Sequence, residues 1–306
     1  MKDCKLLATL PPLTRKQNIE NVFADEGIFA VRYNSGVASP YKNKDIIDYL
    51  STLSKKHNKP LWIDLKGRQL RIAKWADPYY DCIELNHEIE LNAPARIMLR
   101  GDDSVNIVES RGKQIWVDPI PKEAVGAGQS VNILCDDMKI KGYLTPNDIE
   151  LLQICKAKGL NNIMASFVEN ESDLDEVKSI LPNANIICKI ESIKGIDFAR
   201  RNPTEKFMAA RDDLYIQNEK SYSTINMLRL LVQLDKDAIC ASRIFSSLEK
   251  AEEPSLADFC DLELMNKIGY KKFMLCDNIS NYHFKKAMNA WGQFIEKPEV
   301  PPCKTL

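Results

Sequence analysis

Eight short apolar runs, most of them followed by a helix-length amphipathic segment, constrain this chain more than any other feature. The runs are Lys5–Leu10, Ile28–Asn34, Leu61–Lys66, Asn162–Val168, Asn185–Ser192, Lys206–Asp213, Ala238–Ile244 and Lys272–Asp277. Helix-like segments near 14–25, 43–57, 146–158, 170–182, 219–234, 256–268 and 280–291 separate or follow them, and Thr145-Pro146-Asn147-Asp148 and Ser172-Asp173-Leu174-Asp175 read as N-terminal caps. Parallel neighbours need long, usually helical, crossovers, so the alternation is the sequence form of repeated βα units. Eight units predict a closed (β/α)8 barrel, and 306 residues are enough for that core and a small insert. An open doubly wound sheet more often carries a Gly-rich loop after its first strand, where this chain has Pro11-Pro12-Leu13-Thr14.

Residues 72–143 break the rhythm. Short alternating runs at 82–85, 95–99, 104–108, 114–117 and 130–134, punctuated by Gly101, Gly112, Gly126 and Gly128, predict an all-β insert after the third strand. The barrel is then expected from 1–71 and 144–306. Hydrophobic residues make up 44% and charged residues 28%, with a net charge of -1, which argues against nucleic acid or an anionic membrane as partner. The nine cysteines are odd in number and form no C-x-x-C, so they read as reduced thiols. With no signal-like opening and no apolar stretch near the ~18 residues of a membrane span, the expected location is the cytoplasm.

In such a barrel the working residues stand at the carboxyl ends of strands. Side chains alternate along a strand, so Lys189 and Glu191 share one face of the fifth run, and Arg211 and Asp213 one face of the sixth. Carboxylates at neighbouring strand ends suit a hard divalent cation. Open positions on that cation can take two oxygens of an α-keto acid or its enolate, with Arg32 and Lys189 facing phosphate or enolate oxygen. Taken singly, Asp64, Lys66 and Asp277 read as structural strand-end residues. His57, His87 and His283 lack a partner pattern and read as surface residues.

At these positions the chain resembles the pyruvate kinase family. Lys5-Leu6-Leu7-Ala8-Thr9-Leu10-Pro11-Pro12 is similar to K-I-V-C-T-I-G-P, Val31-Arg32-Tyr33-Asn34-Ser35 to M-R-L-N-F-S, and Ile63-Asp64-Leu65-Lys66-Gly67-Arg68-Gln69-Leu70-Arg71 to L-D-T-K-G-P-E-I-R. Ala165-Ser166-Phe167-Val168 and Cys188-Lys189-Ile190-Glu191-Ser192 resemble A-S-F-I and S-K-I-E-N. Met208-Ala209-Ala210-Arg211-Asp212-Asp213-Leu214 resembles M-V-A-R-G-D-L, and Ile239-Cys240-Ala241-Ser242-Arg243-Ile244 resembles I-C-A-T-Q-M. The resemblance implies that Glu191 and Asp213 bind Mg2+ or Mn2+, that Lys189 assists phosphoryl transfer, and that Arg32 contacts the moving phosphate. It puts Ser242 near the substrate carboxylate or the enolate carbon, Asn34 and Asp64 on a monovalent cation such as potassium, Arg71 toward the phosphates of ADP or ATP, and Arg211 with Asp212 at the substrate carboxylate.

The chain departs from the pattern in places. Asp212 replaces the glycine of R-G-D, Gln69 stands where potassium-dependent members have glutamate, and the S-G-E-T of the eighth strand is Cys276-Asp277-Asn278-Ile279. The insert is shorter than the family's lid, and the expectation is a form without the carboxyl-terminal regulatory domain. The first reading is metal-dependent phosphoryl transfer between phosphoenolpyruvate and ADP, with small-molecule substrates and room for a homo-oligomer. The alternatives are a metal-dependent pyruvate aldolase or lyase, and a non-catalytic relative that binds a ligand.

Overall fold

Strand alternation closes into a barrel because every strand can bury both faces, one toward the barrel axis and one under the helices. The computed structural model describes residues 3–36, 39–74, 77–79, 81–99, 104–122, 125–135, 137–218 and 223–296. Gly101 and Cys303 lie outside them. The strands are β1 (Lys5–Thr9), β2 (Ile28–Asn34), β3 (Leu61–Leu65), β4 (Ile83–Glu84), β5 (Ile89–Glu90), β6 (Ala95–Met98), β7 (Ser104–Arg111), β8 (Gln114–Asp118), β9 (Asn132–Leu134), β10 (Lys139–Ile140), β11 (Asn162–Ala165), β12 (Asn185–Ile190), β13 (Lys206–Ala210), β14 (Ile239–Ala241) and β15 (Lys272–Leu275). The helices are α1 (Lys16–Ala24), α2 (Asn43–His57), α3 (Pro146–Lys158), α4 (Glu171–Ile180), α5 (Ile193–Arg201), α6 (Arg211–Ile216), α7 (Thr224–Leu234), α8 (Leu256–Ile268), α9 (Asp277–Tyr282) and α10 (Phe284–Ile295).

The barrel runs β1-β15-β14-β13-β12-β11-β3-β2 and back to β1, all parallel. Leu6, Ala8, Cys188 and Ile190 belong to the outer core under the helices, while Leu7, Ile187 and Met208 meet inside the barrel. Between β3 and α3 the insert forms an antiparallel sheet, β4-β8-β7-β6-β9, with a separate β10-β5 pair. Its own core gathers Ile83, Leu85, Ile97, Ile107, Ile115 and Ile133. The β-rich insert and eight-stranded barrel expected from the sequence are both present.

Two junctions fix the insert and the loop after β3. Asp148 caps α3 with Thr145 and also accepts the backbone N–H of Lys66 at 2.9 Å and of Gly67 at 3.0 Å. Gly67 has φ +49°, and a Cβ there would lie 2.6 Å from the Ser166 carbonyl, so the position requires glycine. His87, expected at the surface, is only 5% exposed. Its Nε2 lies 2.9 Å from the Gly67 carbonyl oxygen and its Nδ1 3.3 Å from that of Lys141, which ties the insert to the barrel.

The sixth run ends earlier than its apolar pattern suggested. β13 stops at Ala210, and Arg211, Asp212 and Asp213 open α6. Arg211 and Asp213 therefore do not share a strand face, because helical geometry replaces the period of two. Among the described residues no helix is long and apolar enough to cross a membrane.

Candidate active site

Period-two alternation builds the site in two layers. Leu7, Ala30, Met164, Ile187, Met208, Ile239 and Met274 meet in one apolar cluster inside the barrel, with Trp62 packed against it. Two residues further along each strand stand Thr9, Arg32, Ser166, Lys189, Ala210, Ala241, Cys276 and, after Trp62, Asp64. This second layer is polar or charged on the β1, β2, β3, β11 and β12 side and small on the β13, β14 and β15 side. The small side leaves room, and a cavity of about 800 Å³ opens there, lined by Ala210, Ala241 and Cys276 and by Arg32, Lys189 and Glu191.

Asp64 organises the charged side. Its Oδ2 accepts from Arg32 at 2.7 Å and from the Lys66 ammonium at 2.7 Å, and its Oδ1 lies 3.3 Å from the Lys189 ammonium. Burial alone would raise its pKa, but Arg32, Lys189 and Lys66 outweigh that and hold the carboxyl well below the usual range. Lys189 also donates to Ser166 Oγ at 2.7 Å and pairs with Glu191 at 3.1 Å. Burial disfavours its charge, yet Asp64 and Glu191 keep its pKa above that of an ordinary lysine. Arg32 NH1 donates to Thr9 at 3.0 Å, and among the described residues its buried Nε has no hydrogen-bond partner.

The carboxylates beside this cluster are less compensated. Glu191 Oε2 accepts from the Phe167 amide at 2.7 Å. Burial lifts its pKa, Lys189 opposes the lift and Asp213 adds to it. Asp213 Oδ1 accepts from Asn132 of β9 in the insert at 3.2 Å. Burial raises its pKa too, Asn132 and Lys189 oppose the rise, and Asp212 reinforces it. Among the described residues no group of three or more His, Cys, Asp or Glu side chains is arranged to hold a metal. Two under-neutralised carboxylates nevertheless fit Mg2+ or Mn2+, hard cations that accept one or two carboxylates and leave the rest of the shell to water and substrate oxygens.

The residues given to a monovalent cation do not fit one in the same way. Asn34 and Asp64 are brought together, but the Lys66 ammonium lies between them, 2.5 Å from Asn34 Oδ1 and 2.7 Å from Asp64 Oδ2. Burial pushes the Lys66 pKa down to about 8, with Asp64 opposing the fall. Asn34 is further held by its bond to Asp277 at 2.8 Å.

The other expected residues divide. Arg71 lines the cavity, its Nε and NH2 held by Gln69 Oε1 at 3.1 and 2.8 Å and its NH1 by the Gly128 carbonyl of the insert. Arg211 is turned to the fold itself: it forks onto Asp261 at 2.7 and 2.9 Å and donates to the Ala241 and Ser242 carbonyls. Ser242 sits just past β14 at φ +68° on the cavity wall. Asp212, also on that wall, forms an ion pair with Arg243. Thr9 and Ser166 also contribute, through Arg32 and Lys189, and the signal for each is a polar residue two positions beyond an interior apolar one. Asn132 gave no signal, since an asparagine in an insert strand carries no pattern pointing to the barrel.

The description "Pyruvate kinase, barrel domain" fits residues 104–278 of this chain. A pyruvate kinase from Sporosarcina psychrophila is 23% identical over 301 residues, covering 86% of this chain and 51% of that protein. One from Methanocaldococcus jannaschii is 25% identical over 285 residues, covering 86% of this chain and 62% of that protein. Pyruvate kinase 2 of a Synechocystis species is 23% identical over 298 residues, covering 84% and 50%. The chain thus spans about half the length of most curated relatives it matches. A family match across more than half of the sequence, on an eight-stranded parallel barrel, makes this chain a member of the pyruvate kinase family.

Proposed function

We propose that this chain is a pyruvate kinase-like phosphotransferase, moving a phosphoryl group between phosphoenolpyruvate and ADP through the enolate of pyruvate. In this reading residues 1–71 and 144–306 form the catalytic barrel, and residues 72–143 form a reduced lid. The carrying observation is the Lys189 ammonium, held charged between Asp64 and Glu191 at one wall of the cavity.

Glu191 and Asp213 would hold Mg2+ or Mn2+, which when bound supplies Lewis acidity toward the substrate's oxygens. As the bond between phosphorus and the enol oxygen breaks, Lys189 offsets charge on that oxygen. The phosphoryl group passes to a terminal oxygen of ADP, and the electron pair stays on the enolate, whose terminal carbon then takes a proton. Arg32, on the cavity wall, offsets charge on the moving group, Arg71 faces the nucleotide phosphates, and the Ser242 hydroxyl lies toward the substrate carboxylate or the enolate carbon. Arg211 acts on Ser242 through its carbonyl, fixing the end of β14. The free cysteines accord with a cytoplasmic setting.

A ligand-binding relative without turnover is the second reading. It is favoured by Asp212, whose charge stands on the wall that would receive an anionic substrate. A coupled assay for pyruvate formed from phosphoenolpyruvate, ADP and Mg2+ separates the two. Turnover by the wild type with at least a ~100-fold loss in Glu191→Gln is expected; no turnover, with Mg2+-dependent pyruvate binding retained, moves the conclusion to the second reading.

A further inference from the structure

Two departures from the family pattern, R-D-D for R-G-D and S-R-I for T-Q-M, bring opposite charges to the ends of adjacent strands. Asp212 follows β13 and Arg243 follows β14, and the two side chains form an ion pair on the cavity wall. The backbone that presents Arg243 is unusual. Ser242, Arg243 and Phe245 have φ of +68°, +60° and +56°, a region that non-glycine residues occupy only when their surroundings hold them there. They are held: the Phe245 side chain is fully buried against Phe259, and Arg211 grips the Ala241 and Ser242 carbonyls.

The charge arithmetic at this wall is simple. Without a partner, Asp212 would add an uncompensated negative charge next to Asp213 on a wall that already carries carboxylates, repelling an anionic substrate while attracting the divalent cation. We propose that Arg243 is a specificity-determining residue, which cancels Asp212 so that the cavity accepts the carboxylate of a keto acid or enol phosphate. This deepens the reading above and rests on it. Arg243 need not touch the substrate, since its effect is carried by the net charge of the pair. At side-chain exposures of 67% for Arg243 and 41% for Asp212, the interaction is partly screened and its effect moderate.

The test is a double-mutant cycle with isosteric neutral changes, read by calorimetry in folded protein. At saturating Mg2+, affinity for oxalate, a planar dianion resembling the enolate, is expected to fall roughly fivefold in Arg243→Gln and to rise by a similar factor in Asp212→Asn. The double variant returns close to wild type. Affinity for Mg2+ alone moves the opposite way in each single variant, a reversal that loss of structure cannot produce. The proposal is overturned if Arg243→Gln leaves oxalate binding unchanged. It is also overturned if the double variant binds as weakly as Arg243→Gln, which would make Arg243 a direct contact or a structural residue. Absence of Mg2+-dependent oxalate binding in the wild type overturns the reading of the site and this proposal with it. Binding by the wild type without the ordering overturns the role of the pair alone.

Discussion

Asp64 faces three cations inside the barrel, and the balance of the site turns on it. Lys189 is the member of that set shared with Glu191, so its removal strips counter-charge from two buried carboxylates together. Breaking a buried pair is costlier than the pair's own contribution, because the remaining charge stays desolvated. Lys189→Met is therefore expected to lower unfolding stability by about 3 kcal/mol in a urea titration without added metal; an unchanged midpoint would show that the ammonium is not holding those carboxylates. The pairing of Lys189 with Glu191 was legible in the sequence, because strand alternation puts residues two apart on one face. The grouping of Asn34 and Asp64 around the Lys66 ammonium was not, since a single sequence does not say which of several cations at strand ends fills a given oxygen cage.

Elements fail to follow the sequence mainly at their ends. Apolar periodicity locates all eight barrel strands, but the sixth run extends in sequence to Asp213, whereas the chain turns into α6 at Arg211. The consequence is chemical as well as geometric: Arg211 points to Asp261 of α8, while Asp213 meets Asn132 of the insert. Asp148 shows the opposite gap. Its place after Thr145-Pro146 marks a cap, and the cap is present, yet the same carboxylate also fixes the amides of Lys66 and Gly67 in the loop after β3, about eighty residues earlier in the chain. Loss of a cap and of buried hydrogen bonds to a carboxylate should both register, so Asp148→Ala is expected to cost about 2–3 kcal/mol of stability. Thermal or urea unfolding measures it. A cost below about 0.5 kcal/mol would mean that α3 and the loop after β3 are not joined through this side chain.

The site exists only at the scale of the whole molecule. Lys189 and Glu191 come from β12 and its carboxyl end, Asp213 from the first turn of α6, Asp64 and Arg32 from β3 and β2, and Asn132 from the insert. Closure of the barrel places the charged half of the second layer opposite the small residues of β13, β14 and β15, and the cavity lies between them. The sequence conveyed the barrel and the carboxylates, whereas the contact of the insert with Asp213 depends on tertiary docking that no local pattern encodes. The claim that joins these levels is that Glu191 and Asp213 form one divalent-cation site. A Mn2+ titration followed by electron paramagnetic resonance tests it most directly, in the wild type, Glu191→Gln and Asp213→Asn. A single site is expected in the wild type, weakened at least about tenfold by either substitution. Equal Mn2+ binding by all three proteins would contradict it.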